Sequence, residues 1–135
     1  MLQGYNAYLP KSNQIPGEKY FVNTNIKVLI KDINQDARNF EEIIVLDRSS
    51  ATFVEKLLEL EIPEIFEKII TIEKIVRVAG YKTKILLQSK DKNINAVGTC
   101  IGISGGRIKP ILKEVEPERI DFINITKNKE QLVLS

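Results

Sequence analysis

Two short helical patterns meeting at Gly102-Ile103-Ser104-Gly105 constrain this chain more than any other feature. Asn95 is placed to cap a helix through Ala96, Val97 and Cys100, and Gly102 ends it. Ile108, Ile111, Leu112 and Val115 then recur at i, i+3, i+4 and i+7, the apolar stripe of a second helix. Pro110 falls early in that helix, where a missing N–H becomes more costly beyond the first turn, so the helix is expected to start late or bend.

The surrounding pattern supplies the rest of the fold. Residues 26–33 and 42–46 are β-branched apolar runs separated by polar turn material, and a further strand is expected over 5–9. A helix is expected to start near Ser50, because Thr52-Phe53-Val54-Glu55 fits a capping box and Phe53, Leu57, Leu58 and Leu60 recur at helical spacing. Pro63 ends it and suits the first position of another short turn. Ile70, Ile72, Val76 and Val78 are expected on one face of a strand, followed by a second strand around Ile85, Leu86 and Leu87 and a closing strand over 119–125. The order from Ser50 onward is α-β-β-α-α-β, behind a β-rich first third, which makes the fold class α+β.

Composition narrows the chemistry. Histidine is absent from the 135 residues, which excludes Ser-His-Asp and Cys-His catalysis and the commonest transition-metal ligand. The single cysteine, Cys100, reads as a small core residue and fits a reducing compartment. No nucleotide fingerprint, metal-binding spacing or apolar run of membrane-spanning length is present, so the expectation is a cytoplasmic non-enzyme with no cofactor, no small-molecule substrate and no membrane partner. The acidic cluster Glu55, Glu59, Glu61, Glu64 and Glu67 reads as a solvated helix face, and Tyr5, Tyr8, Tyr20 and Phe21 as packing aromatics rather than stacking platforms.

Net charge is only +2, yet residues 74–113 carry Lys74, Arg77, Lys82, Lys84, Lys90, Lys92, Arg107, Lys109 and Lys113 against Asp91 alone. A polyanion would meet this segment. The loop lies inside it. Backbone without Cβ atoms can approach a sugar-phosphate chain, and the amides opening the second helix add donors and a positive dipole end. The candidate nucleic-acid contacts are Gly102, Ile103, Ser104, Gly105 and Gly106 in the loop, with Arg107, Lys109 and Lys84 as phosphate-binding cations. Val97, Ile101, Ile103 and Ile108, with Ile85 or Leu87, are candidates for an apolar groove that receives bases.

The segments 77–85 and 96–108, with Glu118-Arg119-Ile120-Asp121-Phe122-Ile123, resemble the first KH domain of the NusA family of bacterial transcription factors. Upstream, Ala7-Tyr8-Leu9-Pro10, Gln14-Ile15-Pro16-Gly17-Glu18 and Leu46-Asp47-Arg48 are similar to the second part of that family's OB-fold RNA-binding domain. The resemblance implies a partial OB-fold over 1–48, a type II KH domain over 49–126 and a tail over 127–135. It further implies a piece of a longer factor that binds single-stranded nascent RNA and RNA polymerase and influences elongation, termination and antitermination without catalysis. The family usually carries an arginine where Ser104 stands, so one cation inside the loop is lost. The runner-up is a protein-interaction scaffold with weakened RNA binding, in which the helix over 52–60 makes the first contact.

Overall fold

Ser50 is where the chain leaves a strand and enters a helix. In the computed structural model, which describes residues 6–35 and 42–125, the Asp47 carboxylate accepts the Ser49 and Ser50 amides, and Ser50 Oγ accepts the Phe53 amide at 3.2 Å. Helix α1 (Ala51–Glu61) follows. The cap is thus Ser50 rather than Thr52, because Asp47 holds Ser50 in the extended geometry that an N-cap requires. Phe53, Val54, Leu57 and Leu58 bury one face of α1, each side chain contributing about 1.5–3 kcal/mol. Leu60, at the edge of that face in the last turn, is exposed. Ile62 breaks the helix in extended geometry and Pro63 opens α2 (Pro63–Phe66), as its position predicts.

The sheet against which these helices pack contains a bulge that the sequence pattern conceals. Strands β4 (Ile70–Val78) and β5 (Lys82–Ser89) are antiparallel, and their register slips between Ile72 and Lys74. The extra residue turns the side chains beyond it to the opposite faces. Ile70, Ile72 and Ile75 therefore face the core, whereas Val76 and Val78, expected beside Ile70, are exposed. Strand β6 (Arg119–Asn124) pairs in parallel with β5, giving the order β4-β5-β6. Thr83, Ile85 and Leu87 point from β5 into the core, where α3 (Ala96–Ile101) and α4 (Ile108–Glu114) cover them. Helix α4 begins at Ile108, directly after the loop. Pro110 is its third residue, inside the first turn where no N–H partner is needed, so the expected late start does not occur.

The first third forms a separate sheet of β1 (Asn6–Tyr8), β2 (Leu29–Gln35) and β3 (Glu42–Asp47) in the order β1-β3-β2. No described element covers its outer face, and Tyr8 and Phe21, expected to pack, are exposed there or in the following loop. Tyr5, part of the turn between β2 and β3, and the final 126–135 lie outside the described residues.

The two sheets share buried material. Ile15 joins the core of the α-β-β-α-α-β unit. Arg48, 1% exposed, donates to both Glu18 oxygens at 2.8 and 2.9 Å and to Glu114 Oε2 at 2.8 Å. Arg77 donates to Glu118 and to the carbonyls of Arg48 and Ser50. Both guanidiniums lie over the Phe53 ring, 5.2 and 5.6 Å from its centroid.

Candidate nucleic-acid interface

Asn95 Oδ1 accepts the Gly98 amide and starts α3; Asn124 Oδ1 on β6 accepts the Val97 amide and ties that helix to the sheet. Ala96 and Cys100 face inward. Burial pushes the Cys100 thiol up to about 12, with the negative charge of Glu64 adding to the effect and Arg107 opposing it. Cys100 is thus the core residue its position predicts.

Gly102 ends α3 at φ 79°, ψ 172°, a conformation essentially reserved for glycine. The loop then closes on itself, with hydrogen bonds from the amides of Gly105, Gly106 and Arg107 to the carbonyls of Gly102, Ile103 and Ile101. The amides of Ile103 and Ser104, at the tip, fall outside this set. Ser104 adopts a left-handed conformation at φ 54°, ψ 30°, and Ile103 is 94% exposed, the most exposed large apolar side chain described. The turn thus holds the aliphatic surface of Ile103 in water. Lys109 is exposed, and its stem runs beside Gly105.

Of the expected contacts, Gly102, Ile103, Ser104, Gly105, Gly106 and Lys109 are brought together at this tip. Val97 and Ile101, one turn apart on α3, form a partly exposed apolar stripe beside it. Three expectations fail. Ile85 and Leu87 are fully buried on the inward face of β5, and Ile108 is 8% exposed beneath the loop, so none lines an open groove. Lys84 alternates with Thr83 and Ile85 and therefore points from the opposite, open face of the sheet, away from the loop. Arg77, counted with the cationic segment, is buried against Glu118 at 3.0 Å.

Arg107 behaves differently from the free cation expected. Its stem crosses Gly102, where a Cβ would sit 2.9 Å from both Arg107 Cγ and Arg107 N. Its guanidinium ends beside α2, donating to Glu64 Oε1 at 2.7 Å and to the Thr99 carbonyl at 3.3 Å. Together with Asn95, Gly98 and Ile103 these groups line a cleft of about 520 Å³ on the flank of α3 away from Val97 and Ile101. The first glycine is therefore required by the chain's own arginine as well as by the turn. Glu64 was hidden in an acidic cluster that reads as solvated; instead Glu64 holds Arg107, Glu59 meets Lys56 and Lys68, and Glu61 meets Lys27. Nothing in the sequence pairs positions 64 and 107.

The described residues contain no group of side chains that could hold a metal ion, and no described helix is long and apolar enough to cross a membrane.

A family model, the NusA-like first KH domain, matches residues 48–125. The chain is 42% identical over 128 residues to the transcription termination/antitermination protein NusA of Borreliella burgdorferi, covering 95% of this chain and 26% of that protein. It is 35% identical over 127 residues to the protein of the same name from Thermus thermophilus, covering 94% and 32%, and 31% identical over 118 residues to that of Bacillus subtilis, covering 87% and 31%. It thus spans between a quarter and a third of the length of these relatives. The match over the helices, loop and mixed sheet of residues 48–125, and the identity extending through the first sheet, mean that the chain belongs to the family of NusA-like first KH domains.

Proposed function

We propose that this chain is a single-stranded RNA-binding module of a NusA-type transcription elongation, termination and antitermination factor, with nascent RNA and RNA polymerase as its partners in the cytoplasm. Residues 49–126 act as the RNA-binding KH unit and 1–48 as the adjoining part of an OB-fold, welded to it through Arg48. The observation that carries this reading is the loop tip. Exposed Ile103 and the Ile103 and Ser104 amides stand beside Lys109 and the Val97–Ile101 stripe, offering donors and a cation to a phosphate and aliphatic surface to an unstacked base. The chemistry is binding alone, with no catalytic step.

Ile103→Asp together with Ser104→Asp tests it. Ile103 is solvent-exposed and aspartate tolerates the left-handed conformation at 104, so the fold is preserved while two negative charges enter the tip. Affinity for unstructured RNA oligonucleotides is expected to fall by at least about tenfold. An unchanged Kd with an unchanged salt dependence would remove the loop from the interface.

A second reading, docking on a protein partner through the acidic helices, draws support from the exposed Leu60 and Phe66 on α1 and α2. Retention of polymerase by a variant carrying Ile103→Asp and Ser104→Asp, and its loss on Leu60→Ser with Phe66→Ser, would favour it.

A further inference from the structure

We infer that Glu64 is an internal competitor of RNA phosphate for Arg107, so that the cation nearest the loop is latched away from the binding surface until that acid is neutralised or displaced. The inference rests on the RNA reading of the loop and adds a control element to it.

The geometry is specific. Arg107 follows the glycine loop directly and its amide is fixed by the Ile101 carbonyl at 3.1 Å, so its backbone is part of the loop's own turn. Its side chain, however, runs backward across Gly102 rather than outward toward Ser104 and Lys109. The guanidinium is seated by two acceptors on two different elements, Glu64 Oε1 on α2 and the carbonyl of Thr99 on α3. Both charged side chains keep contact with water, at 35% exposure for Arg107 and 24% for Glu64. A pair in that position is weak enough to exchange partners, unlike Arg48 and Arg77, which are 1% exposed. The remaining three donors of a guanidinium have no acceptor among the described residues, and the cleft beside them is open.

A phosphate offers a guanidinium the same bidentate, charge-assisted geometry that a carboxylate does. RNA at the tip would therefore have to draw Arg107 from Glu64, and the intrinsic affinity of the loop is reduced by the cost of that exchange. Glu64 is a positioning residue in this scheme. It touches no RNA itself and acts only through where it holds Arg107.

Glu64→Gln keeps the size and an acceptor oxygen while removing the charge. Fluorescence titration with a short unstructured RNA across a salt series is expected to give binding about fivefold tighter than the parent, with the slope of log K against log salt steeper by about 0.7, one additional phosphate contact. Arg107→Gln in the parent background changes affinity little, and in the Glu64→Gln background it abolishes the gain. A structural role alone would move the denaturation midpoint and leave the slope in place, so unfolding curves are recorded for every variant. Should Glu64→Gln leave Kd and slope unaltered, or weaken binding, while Ile103→Asp with Ser104→Asp still weakens it at least about tenfold, the latch is wrong and the RNA reading stands. Should the tip variant bind like the parent, the RNA reading itself fails.

Discussion

Gly102→Ala is expected to destabilise this protein by about 2–6 kcal/mol through two separable terms. The first is backbone strain: at φ 79°, ψ 172° any side chain costs about 1–3 kcal/mol. The second is steric, since the new Cβ would sit 2.9 Å from Arg107 Cγ and N and 3.1 Å from Arg107 Cβ, and the amide cannot retreat without losing its bond to Ile101. Forcing an added methyl into such a contact costs a further ~1–3 kcal/mol. Gly17 provides a comparison: it has the same φ of 79° but nothing within 4 Å of a built Cβ, so Gly17→Ala carries positive-φ strain without the clash and is expected to cost less. Equilibrium unfolding in urea measures both variants. Adding Arg107→Ala to Gly102→Ala removes the Cγ contact but leaves those to the backbone N and Cβ, and restores part of the loss. If Gly17→Ala and Gly102→Ala lowered stability equally, the packing of Arg107 across the glycine would be refuted. The same reasoning makes Gly102 variants a measure of folding, and Ile103 and Ser104 the positions at which to probe RNA.

Ser104→Arg places a cation at a backbone position already left-handed, and should raise RNA affinity about fivefold while steepening the salt slope by about 0.7; no change in slope would show that the tip does not face phosphate. Glu118→Ala strands the buried Arg77 guanidinium and removes the acceptor of the Gly80 amide and Thr83 hydroxyl, a loss of about 3–5 kcal/mol in denaturant unfolding, and a loss under 1 kcal/mol would refute that role. Cys100, raised in the fold from 9.0 to about 12, should be modified by a thiol reagent at pH 8 only as fast as the core opens, so a native rate equal to that of the denatured chain would contradict its burial. Because its folded value is raised, its contribution to stability is complete below pH 9 and is lost as pH climbs toward 12.

Much of the α-β-β-α-α-β unit is legible in sequence because its signals are local. Asn95, Pro63 and the Ile108–Val115 stripe set helix limits through bonds within a few residues of themselves. The bulge near Glu73 escapes such reading, since an unpaired residue is defined by the partner strand, and one slip sends Val76 and Val78 to the opposite face. The site divides the same way. The tip residues are adjacent in sequence and stay together, whereas Lys84 as a phosphate-binding cation and Ile85 or Leu87 as groove residues depend on which side of β5 carries the loop, which no local pattern specifies. The Arg107–Glu64, Arg77–Glu118 and Arg48–Glu114 pairs join positions 43, 41 and 66 residues apart, and no local pattern announces them.

Those pairs change what the cationic segment can do. Three of the chain's five arginines, Arg48, Arg77 and Arg107, are committed to internal acids; Arg119 is exposed on β6 and Arg38 lies outside the described residues. Among the lysines of residues 74–113, Lys74 and Lys84 are exposed on the open face of the second sheet, Lys82 meets Asp121 at 3.0 Å, and Lys90 and Lys92 are exposed in the connection that leads into the start of α3, at the opposite end of that helix from the loop, which leaves Lys109 beside the tip and Lys113 one turn further along α4. An RNA strand crossing the loop would then neutralise its phosphates with about two cations. Single-strand binding with two such contacts predicts a slope of log K against log salt near −1.4, whereas engagement of the whole +8 segment would approach −6. A measured slope near the larger value would mean that the strand also wraps onto the open sheet face; one near the smaller would mean that backbone amides and the Val97, Ile101 and Ile103 side chains supply most of the grip, with Arg107 held in reserve by Glu64.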